Sequence, residues 1–294
     1  MRTPSILFIL ITMMPMQALG GAEDEGPDKP AAPAEQYKAL VKEFYDAARR
    51  AFHQAETDEE RKKAVARVDK VTLLLLELAE KNPKDPIALD ALVQVVTQEI
   101  SLENNSSHPG WGKDSPGRKA IAILLRDHLR SDKLGEATRR VLYGFRQECE
   151  TFLRTVLEMS PHKELQALAC LRLAQFLNGR LQRLDLLKVQ PEMAKRYEGL
   201  FGKDYLEALR RQDRAKVVKE AEALFERAAA QYGDVNMPYG GTVGGNAGAD
   251  LFEIRNLSTG KEAQDIEGAD QDGKRFKLSD YRGKVVLLYF WQEF

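Results

Sequence analysis

Apolar residues recur at helical spacing through most of the chain. Tyr37, Leu40, Val41, Phe44, Tyr45, Ala48 and Phe52 fall at i, i+3, i+4 and i+7, which predicts a helix running to about Ala55. A second helix is predicted from Thr57-Asp58-Glu59-Glu60, a cap with acids in the first turn. It carries Val65, Val68, Val71, Leu75 and Leu78 on one face and ends at Asn82-Pro83. Asp85, with Pro86 at the first helical position, opens a third that runs through Ile100. A polar loop, Asn104 to Gly112, holds Trp111, and Ser115-Pro116 opens a fourth helix to about Leu129. A long fifth helix is expected from Lys133 to Met159, closed by the cap-and-proline pair Ser160-Pro161 that starts a sixth. That sixth helix places Leu165, Leu168, Leu171, Leu173 and Leu177 inward and weakens at Asn178-Gly179, so Leu181 to Val189 either extends it or stands alone. Pro191 to Leu200 reads as a short helix, and Tyr205 to Tyr232 as one or two more.

Beyond Val235 the period changes. Asn236 to Asp250 is glycine-rich and reads as a flexible linker. Its run Gly240-Gly241-Thr242-Val243-Gly244-Gly245 has neither a strand before it nor a Gly-Lys-Ser/Thr after it, so it does not read as a phosphate loop. Leu251 to Leu257 reads as a strand. Asp272-Gly273 signals a type I′ turn between two short strands, Asp265 to Asp270 and Lys274 to Leu278. Ser279 to Gly283 reads as one helical turn closed by glycine. Val285 to Trp291 is apolar without alternation, the pattern of a strand buried on both faces of a largely parallel sheet.

The expected fold is therefore mainly α: an array of helical hairpins at 34–235, then the linker 236–250. The opening hairpin and first buried strand of an α/β domain follow at 251–294. NPKDPIALDALVQVV and AEALFERAAAQYGDV each have a tetratricopeptide-like flavour, but no clean 34-residue period joins them.

The N-terminus adds an address. Arg2, the apolar stretch Ile6 to Met14 and the small residues of Ala18-Leu19-Gly20 predict a secretory signal over 1–20, followed by a disordered spacer at 21–33. The apolar run is short for a membrane span, so no stable insertion is expected after cleavage. Lys and Arg number 44 against 45 Asp and Glu, a balance that favours neither nucleic acid nor an anionic membrane. Protein partners are expected through the helical domain.

Candidate chemistry in the helices is thin. The chain has two cysteines, Cys149 and Cys170, on the fifth and sixth predicted helices. In a hairpin turning near Pro161 their heights differ by about 4–5 Å, so they are a candidate structural disulfide in an oxidising compartment; buried core thiols are the other reading. His53, His108, His128 and His162 are scattered and do not suggest a metal site. No cofactor-binding or catalytic motif occurs in this part of the chain.

The C-terminal stretch GKEAQDIEGADQDGKRFKLSDYRGKVVLLYFW resembles the opening of redoxin domains: TlpA-like extracytoplasmic thiol–disulfide oxidoreductases and, more distantly, peroxiredoxins of the AhpC/TSA class. The resemblance covers Gly260 to Trp291, with Lys277 to Val286 and Phe290-Trp291 its most specific part; Gln264 and Tyr289 depart from the usual proline and aspartate. It implies a thioredoxin-like fold and a bacterial periplasmic or cell-envelope location. It also implies a Cys-x-x-Cys about three residues after the apolar strand, at a helix N-terminus that lowers the thiol's pKa. Phe290-Trp291 is followed by Gln292, Glu293 and Phe294, with no cysteine. The expectation is a redoxin-family chain cut short before its active site and inactive in thiol exchange; disulfide exchange and peroxidase chemistry both remain open for the family role.

Overall fold

Thr57 begins its helix as the sequence requires. In the computed structural model, which describes residues 31–104, 114–258 and 260–289, its side chain accepts from Glu60 N while the Glu60 carboxylate accepts from Thr57 N, a complete capping box. The chain divides into Met1–Ala32 and Pro33–Phe294. The expected signal (1–20) and most of the spacer (21–33) lie outside the described residues, as does most of the Trp111 loop.

Among the described residues, Pro33–Phe294 holds eleven α-helices and one two-stranded antiparallel sheet. α1 (Pro33–Arg49) runs into a π turn at Arg50–Gln54; α2 (Asp58–Lys81), α3 (Pro86–Glu103) and α4 (Pro116–Asp127) follow, each packed on the one before. Asp85 accepts from Ile87 N and Ser115 from Arg118 N, so both predicted caps form. All five inward residues predicted for α2 are buried. On the first helix Phe44 is buried and Tyr37, Leu40, Val41, Ala48 and Phe52 pack against the core, whereas Tyr45 is exposed and meets Phe44 edge-on.

The predicted fifth helix is two. α5 (Gly135–Val141) and α6 (Gln147–Met159) are separated by a turn at 142–146. Gly144 packs so closely on Cys149 that a Cβ there would lie 2.5 Å from its Sγ. The break turns Phe145 out of the helical path and into a second apolar cluster with Tyr197, Leu206 and Leu209. The next helix starts at Lys163, not at Pro161; the Ser160 hydroxyl accepts from His162 N and stops short of capping the helix.

α7 (Lys163–Val189) is one continuous helix through Asn178-Gly179. It buries residues on nearly every side and packs against α5, α6 and α10 (Arg214–Tyr232), as a helix apolar all round must. α8 (Pro191–Phe201) and α9 (Lys203–Arg211) carry the second cluster. No described helix is long and apolar enough to cross a membrane.

The expected Gly-rich linker is instead a tight turn and a packed helix. Gly240 and Gly241 adopt φ +98° and +73°, which a side chain would strain. Val243 N donates to Val235 O at 2.9 Å, and Thr242 caps α11 (Val243–Phe252) by accepting from Gly245 N. Val243 and Ala247 are wholly buried, and Gly244 lies against Gly233. Low helix propensity loses here to close packing that only small residues permit. Leu251–Leu257 is not a strand either: it finishes α11 and turns through a π turn, Glu253–Leu257, so the helical body reaches Leu257.

Candidate functional site

The C-terminal segment orders itself through local polar bonds. β1 (Glu267–Ala269) and β2 (Arg275–Lys277) pair antiparallel with Gly268 opposite Phe276. Gly273 N donates to Asp270 O, Asp270 N to Lys274 O, and the Asp270 carboxylate accepts from Asp272 N and Lys274 N. Only Gly273 in this turn has positive φ, at +78°. This corrects the expected type I′ turn to a three-residue loop with glycine in the left-handed position. Asp265 accepts from both Ser279 N and Ser279 Oγ at 2.8 Å, and these two bonds hold its carboxyl below the usual range. Leu278–Tyr281 is the expected single helical turn, closed by Gly283 at φ +83°.

The buried strand expected at Val285–Trp291 does not form over 285–289, which have no strand partner; Val285 and Leu287 are 103% and 91% exposed. Residues 290 and 291 lie outside the described residues. An apolar run becomes a central strand only when neighbouring strands take up its N–H and C=O groups. Residues 260–289 contain no cysteine and no histidine, so the segment offers no thiol nucleophile.

Cys149 and Cys170 are both free and buried, and they keep different company. The Cys170 thiol donates to Leu224 O of α10 at 3.3 Å, and burial pushes it up to about 11. Burial, then the negative charge of Glu103 and Glu99, pushes the Cys149 thiol well above its ordinary value. The α6–α7 hairpin exists, but both cysteines are free, so the expected disulfide is absent from this structure: the Cys170 thiol is bonded to α10, and Cys149 Sγ packs on Gly144 in the α5–α6 turn. Neither environment favours a thiolate.

Cys149 belongs to a buried polar cluster between α3, α4 and α6. The Glu99 carboxylate accepts from Ser115 Oγ and Gly117 N at the start of α4. Arg146 Nε donates to Glu103 Oε1 and lies 3.4 Å from Glu99 Oε1. Burial raises Glu99, and it raises Glu103 to about 7, with Arg146 opposing and Glu99 reinforcing the rise. Above the cluster lies a groove of about 450 Å³, lined by Arg118, Arg146, Glu148, Phe201 and Tyr205 among others. Arg118 pairs with Glu148 at 2.7 Å, and the Arg146 guanidinium covers the Phe201 ring at 5.1 Å.

No motif in the sequence singles out this cluster. A signal existed: Glu99 and Glu103 stand four apart on a helix otherwise rich in buried apolar residues. Their partner Arg146 is 43 residues downstream of Glu103, and no local pattern reports that. Of the histidines, His162 Nε2 is 2.8 Å from Arg130 O, His128 caps α4, and His108 lies outside the described residues. Among the described residues no group of three or more His, Cys, Asp or Glu is placed to hold a metal ion.

No curated protein matches this chain, and no solved structure does. A family model does match, and only at the C-terminal end. The segment after the helical body is redoxin-like: residues 259–294 match the model of the AhpC/TSA family.

Proposed function

We propose that this is an exported redoxin-related protein of the bacterial envelope whose 294 residues carry out no thiol exchange, the helical body serving as a protein-interaction module. The family match at 259–294 supports the relationship. The burial of both cysteines, with each thiol pushed up, is the observation that carries the inactivity. Ellman's reagent should find essentially no reactive thiol in the native protein and two after denaturation. Insulin reduction and hydrogen peroxide consumption should both stay at the buffer rate. Turnover above that rate that Cys149→Ser or Cys170→Ser abolishes would overturn the reading and, through the assay that responds, decide between disulfide exchange and peroxidase chemistry.

Export is the part of the proposal that the predicted signal motivates. Expression of the full chain in a Gram-negative host should yield a periplasmic product with an N-terminus near Gly21; recovery in the cytosol with residues 1–20 intact would refute it.

The interaction role draws support from the groove walled by Arg118, Arg146 and Phe201. Purified envelope proteins that cross-link to the full chain should lose that cross-link in Arg118→Glu. Equal cross-linking by the variant would remove the groove from the proposal.

A further inference from the structure

Glu99 and Glu103 stand one turn apart on α3 and face one arginine from a buried position; they are 3% and 5% exposed, and Arg146 is 8% exposed. The titratable groups around them include Arg118 on α4, Glu148 and Cys149 on α6, and Tyr205 on α9, whose hydroxyl donates to Phe145 O. Arg118 is engaged by Glu148 at 2.7 Å, and the Cys149 thiol is neutral in this setting. Two carboxylates against one guanidinium would leave a net negative charge away from water, an arrangement that is costly unless one carboxyl keeps its proton. A protonated carboxyl is a donor to its neighbour, and Arg146 stands between the two, its Nε donating to Glu103 Oε1 and lying 3.4 Å from Glu99 Oε1.

The cluster also joins three elements. Glu99 holds the start of α4 through Ser115 Oγ and Gly117 N. Arg146 is the N-cap residue of α6, and its guanidinium covers Phe201 in the wall of the groove. We propose that Glu99, Glu103 and Arg146 form a proton-dependent latch, closed while the two carboxyls share one proton and loosened when that proton leaves. Loss of the proton draws Arg146 toward the second carboxylate and away from Phe201, so the start of α6 and the groove respond together. The position of Glu103, raised to about 7, puts the change near neutrality. An acid whose folded value lies above its unfolded one contributes stability that is fully present below the unfolded value of 4.5 and lost as pH rises through about 7.

The test compares the full chain with Glu103→Gln, which keeps size and hydrogen bonding but cannot ionise. Between about pH 5 and about pH 8.5 the Tm of the wild type should fall relative to the variant by about 5 °C. Over the same range the hydrogen-exchange protection of the Gly117 amide should drop about tenfold in the wild type and hold in the variant. Parallel Tm profiles, or unchanged Gly117 protection in the wild type, would overturn the latch and leave a static ion pair. If Glu103→Gln does not fold, the carboxyl ¹³C titration of wild-type glutamates decides: a midpoint between about 6 and 8 supports the latch, and all midpoints below about 5.5 refute it.

Discussion

Single residues decide much of this molecule's geometry, and glycines show the range. Gly179 sits inside α7 with nothing within 4 Å of where a Cβ would be. Gly179→Ala should therefore stabilise the protein by about 0.5–1 kcal/mol, read as a rise in urea midpoint, because alanine loses less backbone entropy in a helix. Gly244 is the opposite case: a Cβ would lie 2.8 Å from Gly233 Cα, backbone that cannot swing aside. Gly244→Ala should cost about 1–3 kcal/mol in the same assay. Charge at the residue scale is equally local. Arg180 pairs with Glu150 at 2.6 Å, both nearly inaccessible. Burial raises the Glu150 carboxyl, but Arg180 and Arg154 outweigh it and hold it below its usual range. Glu150 thus contributes stability that is present above its unfolded value and lost as pH falls, the reverse of Glu103. Arg180→Ala should cost about 3 kcal/mol at neutral pH and should lose less on acidification than the wild type, as followed by circular dichroism at 222 nm.

At the scale of elements, three of the four expected caps form, Ser160 being the exception, and the helix breaks were not legible. Thr57, Asp85 and Ser115 cap their helices as sequence reasoning expects, because a cap is a bond between near neighbours in the chain. Thr57→Ala removes one half of a capping box and should lower stability by about 1 kcal/mol in urea unfolding. The division of α5 from α6 follows instead from Phe145 joining Tyr197, Phe201 and Tyr205, with ring centroids 5.1 to 6.1 Å away. Those rings are more than fifty residues downstream, so helical periodicity alone runs straight through the break. α11 fails the same reading for the opposite reason: its glycines suggest a linker, and only the surface of α10 turns them into a packing motif. The hairpin β1–β2 was legible as an element, yet its loop is one residue longer than the Asp272-Gly273 signal suggests, because the Asp270 carboxylate takes two backbone N–H groups.

For the whole molecule, the core ends where α11 ends. Its main cluster gathers side chains from Phe44 to Ala247, whereas every residue of β1 and β2 is exposed. Deleting residues 258–294 should therefore shift Tm by less than about 2 °C in differential scanning calorimetry, and a larger fall would mean that the redoxin-like segment helps to hold the helical body. Sequence alone determined the mainly helical character, the caps at Thr57, Asp85 and Ser115, the hairpin and its family resemblance, since each rests on spacing, local bonds or a contiguous motif. Tertiary structure decided where helices break, that glycines 233 and 244 form a contact, and that the two cysteines stand apart. It also decided that Glu99, Glu103 and Arg146 share one buried site. Each of these depends on which distant surfaces meet, and on burial that makes a charge costly only once the chain has folded around it.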